Sequence, residues 1–342
     1  MSDTRTAPET APPALPPPSL GRRVGAGFLR MREASILAVA IILVIYFQVN
    51  TQNFLEPGNL VTVSHYTAPI AILAVGEVFL LISGEIDLSV GYMYTFAPFI
   101  MYYTTELGGM PPLVGILAGL VVSALVGFIN GSVTVMLGVP SFVTTLGMLF
   151  ALEGITLITS GAFPKEIPEA AADGTLQTVM GQQDWSEIIW AGLIVVIFYL
   201  VLTRMRWGLY TFAVGGNLLG ATESGIRVRR IKIGNFMICS VLGGFTGIMD
   251  AFRIDSIDPA AGGETVMFYA VAAAVIGGTA LAGGVGTVLG AFLGAIVLGI
   301  LQDGFNLLGV SANTYYLILG IAVLVAMIAN VYLARLRRTG RI

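Results

Sequence analysis

Long apolar runs recur along the chain from about residue 35 to residue 334, and mostly short polar stretches separate them. A helix needs about 20 apolar residues to cross the hydrocarbon core of a bilayer, and several of the runs approach that length. We predict about ten transmembrane helices, with nine or eleven as alternatives; the third, eighth and ninth are short for a crossing. The predicted spans are 35–52, 67–83, 88–105, 112–133, 141–160, 187–203, 231–251, 267–282, 286–302 and 314–334.

The composition supports a membrane protein. Hydrophobic residues make up 56% of the chain and charged residues 11%, whereas a soluble domain carries about 25% charged residues. Too few charges remain to cover a water-facing surface, so the predicted fold class is an all-α polytopic membrane protein that lies in lipid and binds no nucleic acid. A single cysteine and a single histidine exclude an intramolecular disulfide and a zinc module. Neither lysine follows a glycine, which excludes a P-loop.

The positive charges fix the orientation. With both termini in the cytoplasm, fifteen of the 17 lysines and arginines lie inside, and only Lys165 and Arg253 lie outside. The positive-inside rule predicts this asymmetry, and an odd number of spans would place one terminal arginine cluster outside. The inside charges are Arg5, Arg22, Arg23, Arg30 and Arg32, then Arg204, Arg206, Arg227, Arg229, Arg230 and Lys232, and finally Arg335, Arg337, Arg338 and Arg341.

The chain divides into a tail, one membrane domain and a second short tail. Residues 1–33 are polar and proline-rich, which predicts a disordered cytoplasmic segment. Residues 34–335 form the membrane domain, and 336–342 form a basic cytoplasmic tail. The longest external loop, 161–185, is too short for a catalytic domain, so we expect no enzyme activity.

A polar segment with a glycine near each end, SGEIDLSVG at 83–91, interrupts the apolar pattern between the second and third spans. Irregular backbone at membrane depth is tolerated only when it is buried in protein or lines a cavity, and transporters place such breaks near their pathways. The alternative is a tight cytoplasmic turn in which Asp87 caps a helix that starts at Leu88. A second glycine-dense break, 277–286, loosely resembles the first.

The cytoplasmic loop 204–232 contains a predicted short helix, Leu218–Ser224. Asn217 suits its N-cap and Gly225 a left-handed C-cap. Because isolated helices of this length are marginal in water, it must pack on something, either its own bundle or the groove of a partner.

Ionisable and polar residues within the spans are candidates for a substrate pathway, because carboxylates inside a membrane are costly. Each is equally compatible with a structural hydrogen bond to a neighbouring helix. The candidates are Glu77, Asp87, Ser89, Tyr94, Asn130, Thr144, Glu153 and Asn306. An alternative function, an ion-coupled secondary transporter for a small solute, would use Glu77, Asp87 or Glu153 as its ion-coupled carboxylate.

Glycines recur at every fourth position in two spans. The fourth span reads Gly115, Gly119, Ser123, Gly127 and Gly131, and the ninth reads Gly286, Gly290 and Gly294. This spacing predicts close helix packing, within a compact bundle or between subunits.

Four linked motifs resemble the monosaccharide permeases of ABC importers, the ribose, xylose, arabinose and galactose permeases. They are SGEIDLSVG (83–91), LGVPSFVTTLG (137–147), the loop 210–226 and IGGTALAGGVGT (276–287), followed by GFNLLGV (304–310). The resemblance covers roughly 53–332. The sequence departs from the family at Glu85, where glycine is usual, and at Val285, where arginine or a polar residue is common.

The resemblance implies a fold similar to the vitamin B12 permease and a multi-pass protein of the bacterial cytoplasmic (inner) membrane. Such permeases are non-catalytic and work by alternating access as dimers, usually homodimers. A cytoplasmic ATPase subunit binds ATP and Mg, whereas the permease binds no cofactor or metal, and a periplasmic or extracellular sugar-binding protein delivers a monosaccharide or polyol. The short helix would then couple to the ATPase, through Gly215, Gly216, Asn217, Ala221, Glu223, Ser224 and Gly225.

Overall fold

The computed structural model describes residues 32–172 and 174–338, so that almost all of the predicted 1–33 tail lies outside the described residues. The helices are α1 (Arg32–Thr51), α2 (Pro57–Ile82), α3 (Val90–Tyr102), α4 (Pro112–Met136), α5 (Ser141–Ser160), α6 (Glu169–Ala172), α7 (Thr175–Gln177), α8 (Ser186–Arg204), α9 (Arg206–Gly216), α10 (Leu218–Glu223), α11 (Val228–Ile254), α12 (Glu264–Ile276), α13 (Val288–Leu307) and α14 (Ala312–Arg338). Single π-helical turns occupy Tyr103–Leu107 and Thr178–Gln182, and the strands β1 (Lys165–Glu166) and β2 (Ser256–Ile257) pair antiparallel.

The prediction of an all-α polytopic membrane protein is confirmed. Within the described ranges, seven helices are long and apolar enough to cross a membrane: α1, α2, α4, α5, α8, α11 and α13. The helices α3 and α12 have only 13 residues each, and the apolar stretch of α14 is also shorter. The count of ten spans and the similarity to the vitamin B12 permease therefore remain predictions.

The ninth predicted span is longer than expected. It is the 20-residue helix α13, which continues past position 302 because its polar residues there are buried or paired. Asp303 is 3% exposed and accepts a hydrogen bond from Asn59 Nδ2 at 2.7 Å. A polar residue that finds a partner inside the bundle does not end a membrane helix.

The bundle is built around α2 and α11. The most apolar window of α2 is 83% buried, whereas those of α1 and α5 are 17% and 22% buried. The helix α11 packs against α2, α3 and α4, and α13 packs against α2 and α12. The outer helices expose their leucines, isoleucines and valines, which suits contact with lipid rather than water.

The glycine pattern of α4 packs within the chain. A Cβ at Gly127 would come 2.7 Å from the Cα of Met237, and one at Gly131 would come 2.8 Å from the Cα of Ile233, both on α11. A Cβ at Gly119 would come 2.9 Å from the carbonyl oxygen of Ala97 on α3. The prediction of close helix packing is confirmed, and the partners of this pattern are α3 and α11.

The 83–91 break leads from α2 into the interior of the bundle, where Asp87, Ser89 and Val90 are fully buried. Val90, the first residue of α3, packs against the middle of α11, where a Cβ at Gly243 would come 2.7 Å from Val90 Cγ2. The helix α3 begins at Val90 rather than at Leu88, and Asp87 Oδ1 accepts from the N–H of Ser89 at 2.9 Å. A capping aspartate makes this kind of contact, so the alternative of a turn capped by Asp87 stays a prediction.

A second segment, 255–263, returns into the bundle from the opposite side. The N–H of Gly263, just before α12, donates to the carbonyl oxygen of Gly91 in the first turn of α3 at 2.9 Å. The two short helices α3 and α12 therefore start beside each other inside the protein, as in transporters with discontinuous helices.

Polar pairs mark the two ends of the bundle. At the end that the arginines place in the cytoplasm, Thr287 Oγ1 donates to Glu33 Oε1 at 3.2 Å, and α9 and α10 form the loop. At the outer end, β1 of the 161–185 loop pairs with β2. At the C-terminus, α14 is helical through Arg338, so the first residues of the predicted basic tail continue the helix.

Candidate functional site

The helix α10 is capped at both ends as the sequence predicts. Asn217 Oδ1 accepts from the N–H of Gly220 at 2.9 Å. After the helix, Gly225 takes φ +78°, and the N–H groups of Gly225 and Ile226 donate to the carbonyl oxygens of Thr222 and Ala221, both at 3.0 Å. This is a Schellman arrangement, which satisfies the last carbonyl groups and needs a left-handed residue at its turn.

One face of α10 packs on the bundle and the other is open. Ala221 is buried in a cluster with Val214 and Ile231, so that it faces its own chain. On the open side, Leu218 and Leu219 are 51% and 70% exposed. Glu223 and Ser224 are also exposed at the end of the helix. The helix thus has an internal anchor and, on the cytoplasmic side, an apolar surface that no described residue covers.

The end of α9, which leads directly into α10, packs against the two glycine-rich breaks. A Cβ at Gly215 would overlap the carbonyl oxygen of Ile82 and would come 2.8 Å from the backbone nitrogen of Gly284. The N–H of Gly284 itself donates to that carbonyl oxygen at 2.8 Å. A Cβ at Gly216 would meet nothing within 4 Å. The close approach that requires glycine is therefore at Gly215, whereas a side chain at Gly216 would point into open space.

The four sequence motifs meet at this place. The N–H of Leu88, in the first motif, donates to Thr145 Oγ1 in the second at 3.1 Å. Gly215 in the third motif and Gly284 in the fourth both contact Ile82, which directly precedes the first. Segments far apart in the chain thus build one cytoplasmic half-site.

Three of the pathway candidates form one buried polar cluster. Asp87 Oδ1 accepts from Ser89 Oγ at 2.6 Å, and Asn130 Nδ2 donates to Ser89 Oγ at 2.9 Å and to both oxygens of Asp87 at 3.4 Å. Ser240 Oγ donates to Asp87 Oδ2 at 3.4 Å. All four side chains are fully buried. The sequence analysis missed Ser240, because a lone serine in an apolar run carries no signal.

Glu77 lies next to this cluster in the middle of α2. Its carboxyl group accepts from Cys239 Sγ at 3.6 Å and from the backbone N–H of Asp87. The side chain is fully buried, and its Oε2 has no hydrogen-bond partner among the described residues. No basic side chain pairs with Glu77 or Asp87 in the described part of the chain.

An ion pair joins the first break to the start of α11. Lys232 Nζ lies 2.5 Å from Glu85 Oε1, and the two side chains are 14% and 12% exposed. Glu85 is the residue at which the chain departs from the resembled family, and Lys232 is one of only two lysines. The sequence gives no spacing rule that links the two positions.

Tyr94 belongs to a different cluster, nearer the outer end. Its hydroxyl donates to Asp250 Oδ2, while Arg253 Nε donates to Asp250 Oδ1 at 2.9 Å. Arg253 Nε also lies 3.2 Å from Glu187 Oε2, which in turn is 2.8 Å from His65 Nδ1. The network ties together α2, α3, α8 and α11. Sequence reasoning left Glu187 and His65 unassigned, because they are 122 residues apart.

The remaining candidates lie apart from both clusters. Thr144 and Glu153 are half-buried on α5, where Glu153 lies beside Tyr92 and the hydroxyl of Thr144 has no partner. Asn306 is exposed and donates to Tyr66 Oη at 3.2 Å. The structure therefore does not gather the eight pathway candidates into one site.

Known proteins with similar sequences are named as sugar import permeases. The chain is 35% identical over 313 residues to the xylose/arabinose import permease protein of Sulfolobus acidocaldarius, covering 90% of this chain and 87% of that one. It is 30% identical to the ribose import permease protein of Escherichia coli (91% and 97% covered) and 26% identical to the fructose import permease protein of Rhizobium meliloti (88% and 86% covered). No solved structure matches the chain.

A family model matches residues 59–327, from the first turn of α2 to the middle of α14. The family is described as the permease component of the branched-chain amino acid transport system. The match spans both breaks, α9 and α10, and both polar clusters. The chain therefore belongs to the family of branched-chain amino acid transport system permease components.

Proposed function

We propose that the chain is the membrane-spanning subunit of an ATP-driven importer, that it moves a neutral monosaccharide or polyol by alternating access, and that ATP and Mg are bound by a partner ATPase. An external sugar-binding protein delivers the solute, and a second copy of the chain completes the pathway. The observation that carries the proposal is α10, a short, doubly capped helix whose leucines are exposed and which directly follows the contacts of Gly215 with Ile82 and Gly284.

The coupling follows from the contacts at Gly215. A force on the exposed face of α10 reaches Gly215 through the start of α10 and Asn217, and Gly215 abuts the backbone of Ile82 and Gly284. Ile82 directly precedes the break before α3, and Gly284 lies in the break after α12. A displacement of α10 therefore moves the cytoplasmic supports of both short helices together. Such packed contacts transmit discrete shifts because protein interiors deform little.

The solute class rests on the relatives and on the charges. The family description names branched-chain amino acids, whereas the three relatives above are named for sugars. An unpaired cation in the pathway would favour the carboxylate of an amino acid. Arg253, the basic group of the outer cluster, is already paired with Asp250 and Glu187. The polar groups that remain are hydroxyls, amides and carboxylates, which suit a neutral polyol.

A pull-down of the tagged protein in mild detergent tests the coupling. We expect a stoichiometric ATPase to co-purify with the native chain and to be lost from Leu219→Asp, which places a charge on the exposed face of α10. The matched control is Leu137→Asp, a 75% exposed leucine in the turn between α4 and α5. Equal recovery of the ATPase with both variants would place the contact elsewhere.

A further inference from the structure

A small cleft opens at the outer end of the bundle, separate from the buried Asp87 cluster. Its walls are the first half of α3, the outer half of α11 and the returning segment 255–263. Each wall contributes polar groups: Tyr94 and Thr95 from α3, Asp250 from α11, and Ser256 and Asp258 from the returning segment. The cleft and the segment that bounds it lie on the side from which a solute arrives.

The hydroxyl of Thr95 is the unusual member of this cleft. Its side chain is 2% exposed, yet its Oγ1 has no hydrogen-bond partner among the residues that the structure describes. The backbone of the returning segment covers it, because a Cβ at Gly262 would overlap Thr95 Oγ1. A buried hydroxyl without a partner is destabilising, so a hydroxyl from another molecule that reaches it would recover a hydrogen bond.

The neighbouring groups fix the chemistry of that molecule. One oxygen of Asp250 accepts a hydrogen bond from Arg253, and the other accepts one from the hydroxyl of Tyr94. The oxygen on the cleft side is therefore already bonded to a hydroxyl group. Asp258 is half-buried, and one of its oxygens accepts from the N–H of Ala260 at 2.8 Å. Two carboxylates facing one cleft repel an anion and accept hydrogen bonds from alcohols.

We propose that this cleft is an outer binding site for a hydroxyl-rich neutral solute. Thr95 and Asp258 contact hydroxyl groups of the solute. The hydroxyl of Tyr94 occupies the position on Asp250 that a solute hydroxyl would take. The proposal deepens the proposed function and rests on it. The cleft has room for about one water molecule in this conformation, so binding of the solute requires that the returning segment move away from Thr95. The carboxylate of Asp258, which has no ion-pair partner among the described residues, disfavours an anionic solute such as a sugar acid.

The test measures solute binding to the whole chain in lipid nanodiscs by saturation-transfer NMR, with D-xylose, D-ribose and D-fructose as probes and gluconate as the charged comparison. Thr95→Val removes one hydroxyl without removing any protein hydrogen bond, so folding is preserved. We expect it to weaken sugar binding about two- to tenfold, the range for one hydrogen bond. Asp258→Asn keeps an acceptor for Ala260 and should weaken binding over a similar range.

The matched control is Thr67→Val on α2. Thr67 is equally buried, at 2%, and its hydroxyl also lacks a partner, but it lies outside the cleft. The proposed site would be overturned if sugar binding were equal in Thr95→Val, Asp258→Asn and Thr67→Val. It would also be overturned if gluconate bound as tightly as the sugars.

A parallel measurement separates the site from the proposed function. ATP-dependent sugar uptake by the native importer together with unaltered sugar binding in the cleft variants would refute the cleft alone. If the native importer takes up none of the three sugars, the sugar-importer proposal fails, and the cleft proposal fails with it.

Discussion

The backbone N–H of Gly284 donates a 2.8 Å hydrogen bond to the carbonyl oxygen of Ile82. Ile82 is the last residue of α2, and Gly284 lies in the break between α12 and α13. The same carbonyl oxygen is in close contact with Gly215 at the end of α9. One backbone group therefore holds together the two breaks and the end of α9 that leads into α10.

Gly215→Ala should separate ATP hydrolysis from transport. The new methyl group would overlap the Ile82 carbonyl oxygen, which is backbone and cannot move aside by changing rotamer. We expect transport to fall at least tenfold while the ATPase still co-purifies. Gly216→Ala is the control, because nothing lies within 4 Å of its added Cβ. Uptake and ATPase assays on reconstituted complexes check both variants. Equal activity of the two variants would show that the close contact between Gly215 and Ile82 is not required for transport.

Asn217→Ala should loosen α10. The substitution removes the acceptor for the N–H of Gly220, and loss of such a cap costs about 1 kcal/mol of helix stability. A six-residue helix tolerates this poorly. We expect faster hydrogen exchange across 218–224 and weaker ATPase binding, with Asn217→Asp as the control that keeps the cap. Unchanged exchange in the alanine variant would show that the packing of Ala221 alone holds the helix.

Glu85 and Lys232 should be energetically coupled. Both side chains are nearly buried, so removing either partner leaves an unpaired charge, at a cost of about 3 kcal/mol. We expect E85Q and K232M each to lower the midpoint of thermal unfolding in detergent, and the double variant E85Q/K232M to lose less than the sum of the two. Additive losses would mean that the two groups do not interact in the folded protein.

Asp87→Asn and Glu77→Gln should differ although both replace a buried carboxyl group with an amide. The oxygens of Asp87 accept from Ser89, Asn130 and Ser240, so an amide NH₂ at this position would face donors. We expect a loss of about 1–3 kcal/mol for Asp87→Asn. Glu77 has one oxygen without a partner, so Glu77→Gln should change stability and uptake only modestly. Thermal unfolding ranks the two variants, and the reverse order would contradict the described hydrogen bonds.

The features that sequence predicted well are those set by local chemistry. Asn217 and Gly225 bracket α10 within one residue of the predicted helix because capping needs particular side chains at particular positions. The apolar spans follow because lipid demands a continuous apolar helix. The spacing of small residues on α4 correctly indicated close packing.

The features that sequence missed depend on contacts between distant segments. The position of the start of α3 within the bundle is set by the packing of Val90 on α11, which no local pattern records. The pairs Glu85–Lys232 and His65–Glu187 join positions 147 and 122 residues apart. Polar candidates such as Asn306 and Glu153 were grouped by type, whereas the structure separates them by helix and by depth.

Uptake of a radiolabelled monosaccharide into proteoliposomes that contain the permease, its ATPase and its sugar-binding protein tests the central claim most directly. We expect uptake to require ATP on the side of α10 and to be unaffected when the proton gradient is collapsed. Uptake that continues without the ATPase and stops when the proton gradient is collapsed would contradict the account and favour an ion-coupled secondary transporter.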